Sequence, residues 1–269
     1  MRKLILGAVA ALAICAVPAV ASAQGGYVDL GYAYSDSDAQ DNHVDTWTVG
    51  GATAFDLGGL GAQVDGRYNN ASSEGVSNDL NVWSVGGHLY KRDSSFLIGG
   101  YVGYNNYDTG VDDNLDEWTV AGETQFYMPQ STVSASLSYS DVKDAFVTDD
   151  FKVWSIDGDY KYFLNDNWSL HGGLGYGQGD AGDAGDSIDI WQAGVGTEYQ
   201  LASVPVSFFA NYRHSSLSGS GAVDDVDADS LSVGVRYNFG GSLMDRDRSG
   251  AGLSTPAGAF QRLIGVFTS

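Results

Sequence analysis

Between residues 26 and 239, apolar residues alternate with polar or small ones along most of this chain. Around each tryptophan the run is W-x-V/I-x-G or close to it: Trp47-Thr48-Val49-Gly50-Gly51, Trp83-Ser84-Val85-Gly86-Gly87, Trp118-Thr119-Val120-Ala121-Gly122 and Trp154-Ser155-Ile156-Asp157-Gly158. Trp191-Gln192-Ala193-Gly194-Val195 drifts from the pattern, and Leu231-Ser232-Val233-Gly234-Val235 replaces the tryptophan. A period of two is the signature of a strand. Segments that end in tyrosine alternate in the same way, as in Val28-Leu30-Tyr32, Ile98-Gly100-Val102-Tyr104 and Val206-Phe208-Ala210-Tyr212. The unit is strand, polar loop, strand, short turn, and six units predict twelve strands.

The units recur at a fixed interval. Tyr32, Tyr68, Tyr104, Tyr139, Tyr176 and Tyr212 are 36, 36, 35, 37 and 36 residues apart, and each precedes Trp47, Trp83, Trp118, Trp154, Trp191 or Leu231. Such a period marks a repeat architecture. Eight residues past each anchor stand Phe55, Lys91, Phe126, Tyr162, Tyr199 and Phe239. One face of every strand is thus apolar with aromatics at both ends, while the other carries Gly, Ser, Thr, Gln and charged residues. A soluble sandwich has no need of aromatics at both ends. A transmembrane β-barrel does, with an apolar outside between two aromatic belts and a polar interior. Eight residues at about 3.3 Å each and a tilt near 40° span roughly 20 Å, close to the apolar band of about 25 Å in such barrels. Glycine, 37 of 269 residues, falls repeatedly within strands, where it relieves the bending strain of a closed, curved sheet.

Residues 1–23 have the layout of a secretory leader. Arg2 and Lys3 form the charged start, Leu4 to Val17 the apolar core, and Ala21-Ser22-Ala23 a cleavage site before Gln24. The only cysteine, Cys15, lies inside it, so the mature chain has no disulfide, thiol chemistry or cysteine-bound metal. No other stretch approaches eighteen consecutive apolar residues, so the membrane is crossed by strands. The formal charge is −21, and loss of Arg2 and Lys3 takes it to −23, a sign that excludes nucleic acid as a partner. The expected organisation is a leader over 1–23, a barrel over 24–239 and a periplasmic C-terminal tail over 240–269. The first strand begins so close to Gln24 that no plug or passenger domain fits before it.

Most acid falls in the longer connections: Ser35 to Asp41, Asp108 to Glu117, Asp141 to Asp150, Gly179 to Asp189 and Asp224 to Asp229. The alternate connections, such as Pro129-Gln130 and Asn165-Asp166-Asn167, are short. Long loops outside and short turns inside is the expected orientation. Residues 240–269 admit two readings, a mobile periplasmic tail or a segment that docks Phe260 to Phe267 into the barrel mouth or onto a partner.

The leader, the six hairpins and the last strand, Ser230 to Phe239 with its alternating aromatics, resemble the Gram-negative porin-type outer-membrane β-barrels, here in a small, Asp-rich form. The resemblance covers residues 26–239 and is architectural. It implies an all-β, up-and-down antiparallel barrel in the bacterial outer membrane, set among outer-membrane lipid and lipopolysaccharide and inserted by the barrel-assembly machinery. Two departures stand out. Thirty residues follow the final aromatic, and no loop is long enough for the constriction loop of the larger trimeric porins.

Parity with the outward Tyr and Trp positions assigns the remaining residues. Tyr32, Trp47, Tyr68, Trp83, Tyr104, Trp118, Tyr139, Trp154, Tyr176, Trp191 and Tyr212 form the outer girdle. Asp29, Asp65, Arg67, His88, Glu123, Asp157, Asp159, Lys161, His171, Glu198, Arg213 and Arg236 line the interior, together with Glu117. Twelve tilted strands give a backbone radius of roughly 12 Å. Small inward residues, among them Gly31, Gly99, Ser136, Gly173 and Gly194, leave space for a narrow, mildly cation-favouring pore, whereas dense salt bridges would close it.

The expected function is a porin-like channel for passive diffusion of small polar solutes or ions, with no catalysis, cofactor or metal. One alternative is an outer-membrane lipid hydrolase using His214 and Ser216 opposite Asp225, Asp227 and Asp229, similar to lipid A deacylases and phospholipases. Those families place Asn after the serine, where this chain has Leu217. A closed barrel with a structural or adhesive role is the other. Asp112-Asp113-Asn114-Leu115-Asp116 alternates oxygen ligands, but Glu117 stands where a calcium loop needs glycine, so divalent cations at the acidic loops would bind diffusely.

Overall fold

The computed structural model describes residues 24–38, 43–73, 78–108, 110, 114–146, 149–181, 186–219 and 225–263. The expected leader, Asp41, Asp112, Asp113 and Phe267 lie outside these residues. Twelve strands form: β1 (Gly25–Ser37), β2 (Val44–Asp56), β3 (Gly61–Ser73), β4 (Leu80–Arg92), β5 (Phe96–Asp108), β6 (Leu115–Met128), β7 (Ser131–Phe146), β8 (Asp149–Asn165), β9 (Trp168–Ala181), β10 (Asp186–Gln200), β11 (Val206–Gly219) and β12 (Val226–Phe239). Each pairs antiparallel with its neighbours in the chain, and β12 closes on β1. The closing seam runs from Gly26 opposite Phe239 to Ser37 opposite Ala228. Closure removes both sheet edges, so every strand finds its backbone partners without water.

The faces sort as the alternation predicts. Leu174 is 69% exposed and Trp154 59% on the outside, while Glu117 is 0% exposed on the inside. Apolar side chains face out and charged ones are buried, the inverse of a soluble protein. The tyrosines and tryptophans meet in pairs across adjacent strands, with ring centroids 5.1 Å apart in Tyr32–Trp47 and 4.6 Å in Tyr176–Trp191. Inward glycines make room for aromatics in the lumen. The Tyr101 ring occupies the space that side chains at Gly86 and Gly103 would fill, and meets the His88 ring at a tilt, 4.7 Å between centroids.

The short turns are tight. In the β4–β5 turn, Asp93 accepts from the Ser95 amide, the Ser95 hydroxyl and the Phe96 amide. These bonds, led by the Ser95 amide, hold its carboxyl below the usual carboxylate range.

One sequence expectation changes. Stretches read as acidic loops are largely strand: β7 runs to Phe146, β8 starts at Asp149, β9 ends at Ala181 and β12 starts at Val226. The hairpins keep pairing past the tyrosine–tryptophan band because inward positions there are apolar. Val142, Phe151, Val153, Ile188 and Ile190 pack together inside the long-loop end. Of the two readings of the chain after β12, a mobile tail and a docked segment, the structure shows the docked one, and over a longer stretch than Phe260 onwards. Residues 242–263 enter the barrel at its short-turn end and run up inside it, as a helix α1 (Leu243–Ser249), an extended stretch and a short helix α2 (Ala259–Leu263).

Candidate functional site

The interior of the barrel is the candidate site. The twelve residues assigned there by parity are buried or half-buried, on strands whose alternate apolar residues are exposed, and several are joined. His88 lies between Asp65, 2.6 Å from Nε2, and Glu123, 3.0 Å from Nδ1. Arg236 donates to Asp29 at 2.7 Å across the closing seam and to Glu198 at 2.9 Å, with its guanidinium 4.0 Å above the Tyr27 ring. Each of these charges is taken out of water, and each of these ion pairs offsets that cost by mutual attraction in a low dielectric.

The C-terminal segment runs through the interior and bonds to its wall. Ser242 caps α1, with a reciprocal bond to Asp245. Arg246 donates from Nη2 to Glu198 at 2.6 Å and from Nη1 to Asn238. Asp247 accepts from Lys161 at 2.9 Å and Thr132 at 2.6 Å. Arg248 donates to the Met128 and Ser131 carbonyls at the β6–β7 turn. Those contacts anchor a foot at the short-turn end.

Beyond the foot, the chain climbs. Leu253 packs with Tyr90, Leu97 and Tyr127, and its backbone exchanges hydrogen bonds with Gln63 at 2.8 and 3.2 Å. Thr255 donates to Asp65 at 3.1 Å. At the top, the Ala259 amide donates to Glu117, which also accepts from the Tyr107 hydroxyl. Phe260 meets the Tyr107 ring edge-on at 4.7 Å, and Arg262 reaches Asp157 at 2.6 Å and Gln192 at 3.1 Å. Glu117 neighbours Trp118 on β6 and Asp157 stands three residues from Trp154 on β8, so the segment runs from the short turns to near the aromatic band.

Docking of Phe260 and its neighbours into the barrel mouth is one of the two readings of the tail, but that reading names neither the partners of this seat nor the apolar vestibule above it. Parity with Trp154 and Trp191 places Phe151, Val153, Ile188 and Ile190 inward, a signal present in the sequence. The seat had a weaker signal, the coincidence of an acidic interior with a tail rich in arginine.

The hydrolase residues are partly assembled. His214 Nδ1 lies 3.0 Å from Asp229 Oδ1, which also accepts from the Tyr212 hydroxyl at 2.6 Å. Ser216 stands opposite Trp191 and Asp227, and no hydrogen bond joins it to His214 among the described residues. Asp116, read as a loop ligand for a cation, belongs to β6, where it accepts from Tyr104 and Asn106. Among the described residues no group of three or more His, Cys, Asp or Glu side chains could hold a metal ion.

A model described as the outer membrane protein beta-barrel domain matches residues 94–239, more than half of the chain. The chain belongs to that family. As a member, it is a bacterial outer-membrane protein with a closed twelve-stranded barrel. Among solved structures it is similar to an outer-membrane channel from Pseudomonas putida F1, at 13% identity over 80% of this chain and 94% of that one, with a TM-score of 0.59. The translocator domain of the autotransporter NalP from Neisseria meningitidis is also similar, at 15% identity over 80% and 88% of the two chains, with a TM-score of 0.52. At such identities the likeness is one of fold. No curated protein matches the sequence.

Proposed function

We propose that this outer-membrane barrel is a channel for small polar solutes, with its long loops outside the cell and its path closed by its own C-terminal segment. One observation carries the reading: a single contiguous stretch, 242–263, runs through the lumen and is bonded to the wall from its short-turn end to Asp157 and Gln192. The wall beside that stretch is polar and in many places small. Ser138 bonds Ser155 at 2.7 Å and Thr119 bonds Ser140 at 2.8 Å, contacts of short side chains that leave the centre to the segment. A wall of this kind lines a water path once the segment leaves. Its carboxylates at Asp29, Asp65, Glu117, Glu123, Asp157, Asp159 and Glu198 outnumber Arg67, Lys161, Arg213 and Arg236, so the path favours cations.

The closed-barrel reading has an observation of its own, the network that ties Asp29, Arg236, Glu198 and Arg246 across the lumen. Planar-bilayer conductance separates the two. The full chain is expected to conduct in rare, short openings, and a chain ending at Gly241 to conduct steadily with a cation preference. A chain ending at Gly241 that inserts as a folded barrel and stays silent sinks the channel reading.

A further inference from the structure

The head of the C-terminal segment rests in a seat with three matched parts. Asp157 on β8 and Gln192 on β10 both stand opposite Gly175 of β9, so an acid and an amide flank a position with no side chain. The Arg262 guanidinium lies over that glycine, donating to Asp157 at 2.6 Å on one side and to Gln192 at 3.1 Å on the other. A Cβ at Gly175 would intrude on both Asp157 and the guanidinium. Phe260 fills the second part, against Tyr107 and the apolar vestibule. The third part is the Glu117 carboxylate, which takes a backbone N–H. Guanidinium, apolar ring and N–H donor are therefore each met by a complementary group.

The seat is separate from what anchors the segment. The foot is held by Glu198, Lys161 and Thr132 at the other end of the lumen. Between foot and head runs an extended stretch whose ties, Leu253 to Gln63 and Thr255 to Asp65, are to β3 and not to the partners of α1. The head can therefore leave while the foot stays.

We infer that this seat is a binding site for an organic cation that carries a guanidinium group beside an apolar ring, and that the segment's own head occupies it as an internal competitor. The proposal rests on the channel reading for its route of access, since such a ligand reaches the seat through the long-loop end of the lumen. Planar guanidinium spans the two acceptors, with Nη2 on Asp157 and Nη1 on Gln192, whereas a primary amine presents all its donors from a single nitrogen.

The test is equilibrium binding to the full mature chain in detergent or nanodiscs, with the probe acetyl-Ala-Phe-Gln-Arg-Leu-amide, labelled for fluorescence anisotropy. Arg262→Ala weakens the internal competitor and is expected to raise probe affinity at least tenfold over wild type. Adding Asp157→Asn to Arg262→Ala is expected to abolish that gain, and a probe with lysine for arginine to bind at least tenfold more weakly. Gly175→Ala, which fills the floor and leaves every charge in place, provides a second variant and is expected to match the loss. Equal probe binding by wild type and Arg262→Ala, or by the variants with and without Asp157, overturns the proposal. Probe binding together with a silent, folded chain ending at Gly241 sinks the channel reading and leaves the seat standing, so the two failures are distinguishable.

Discussion

Arg262 and Asp157, 105 residues apart in the chain, meet inside the barrel with Nη2 2.6 Å from Oδ2. The arginine is buried and the aspartate side chain is 31% exposed. Breaking a buried ion pair costs about 3–5 kcal/mol, and the partial exposure of Asp157 puts this pair at or below the lower end. Asp157→Asn is thus expected to weaken docking of the segment's head by about 2–3 kcal/mol, a roughly 30- to 150-fold rise in its opening. Hydrogen exchange checks this: amides of 253–263 exchange faster, while those of α1 keep their wild-type protection.

Glu198 is expected to couple the wall to the segment. It accepts from Arg236 of β12 at 2.9 Å and from Arg246 of α1 at 2.6 Å, and its other oxygen accepts from Ser207 at 2.5 Å. Removing Glu198 leaves two arginines facing each other in a dry interior. Glu198→Gln and Arg246→Ala in a double-mutant cycle are expected to show a coupling of about 1–3 kcal/mol, since residues in one ionic network do not act additively. The unfolding midpoint from heat-dependent gel mobility provides the four values. Additive effects would show that the foot is held elsewhere.

Gly103 is expected to tolerate no side chain while Tyr101 is present. The Tyr101 hydroxyl end lies where the Cβ would go, and the ring is packed at a tilt, 4.7 Å away, against His88, itself fixed by Asp65 and Glu123. Overpacking of this sort costs about 1–3 kcal/mol. Gly103→Ala should lower the unfolding midpoint, and Tyr101→Leu in the same chain should recover part of the loss. A Gly103→Ala barrel as stable as wild type contradicts the packing argument.

How much of this was written in the sequence differs from element to element. The strands, their number and their facing were legible because alternation is enforced at every position by two different solvents, lipid outside and a polar interior inside. Trp154 fixes Asp157 and Asp159 on the inner wall by counting alone. The length of the hairpins was not legible from charge, since Asp141, Asp180 and Asp189 read as loop although the inward residues beside them are Val142, Val153 and Ile190. The seating of the C-terminal segment was the least legible. Arg246 finds Glu198 and Arg262 finds Asp157 through the closed shape of the barrel, and nothing local to residues 242–263 records those partners.

The lipid-hydrolase alternative leads to the last prediction. A serine nucleophile needs its base within hydrogen-bond reach, about 2.6–3.2 Å. His214 and Ser216 are alternate residues on one face of β11, so their Cα atoms are about 6.6 Å apart along the strand. The histidine is turned instead towards Asp229, at 3.0 Å, where the Tyr212 hydroxyl also donates. That cluster caps the lipid-facing aromatic band and holds β11 to β12, a positional role that needs no serine. Outer-membrane lipid incubated with the purified protein is therefore expected to show no loss of acyl chains by mass spectrometry, with Ser216→Ala indistinguishable from wild type. His214→Ala should lower the unfolding midpoint slightly, by less than about 1 kcal/mol, as befits an exposed pair. Acyl release by wild type that disappears in Ser216→Ala would instead require the serine to swing against His214 in the lipid-bound protein, and would make the outer rim of β11 an active site.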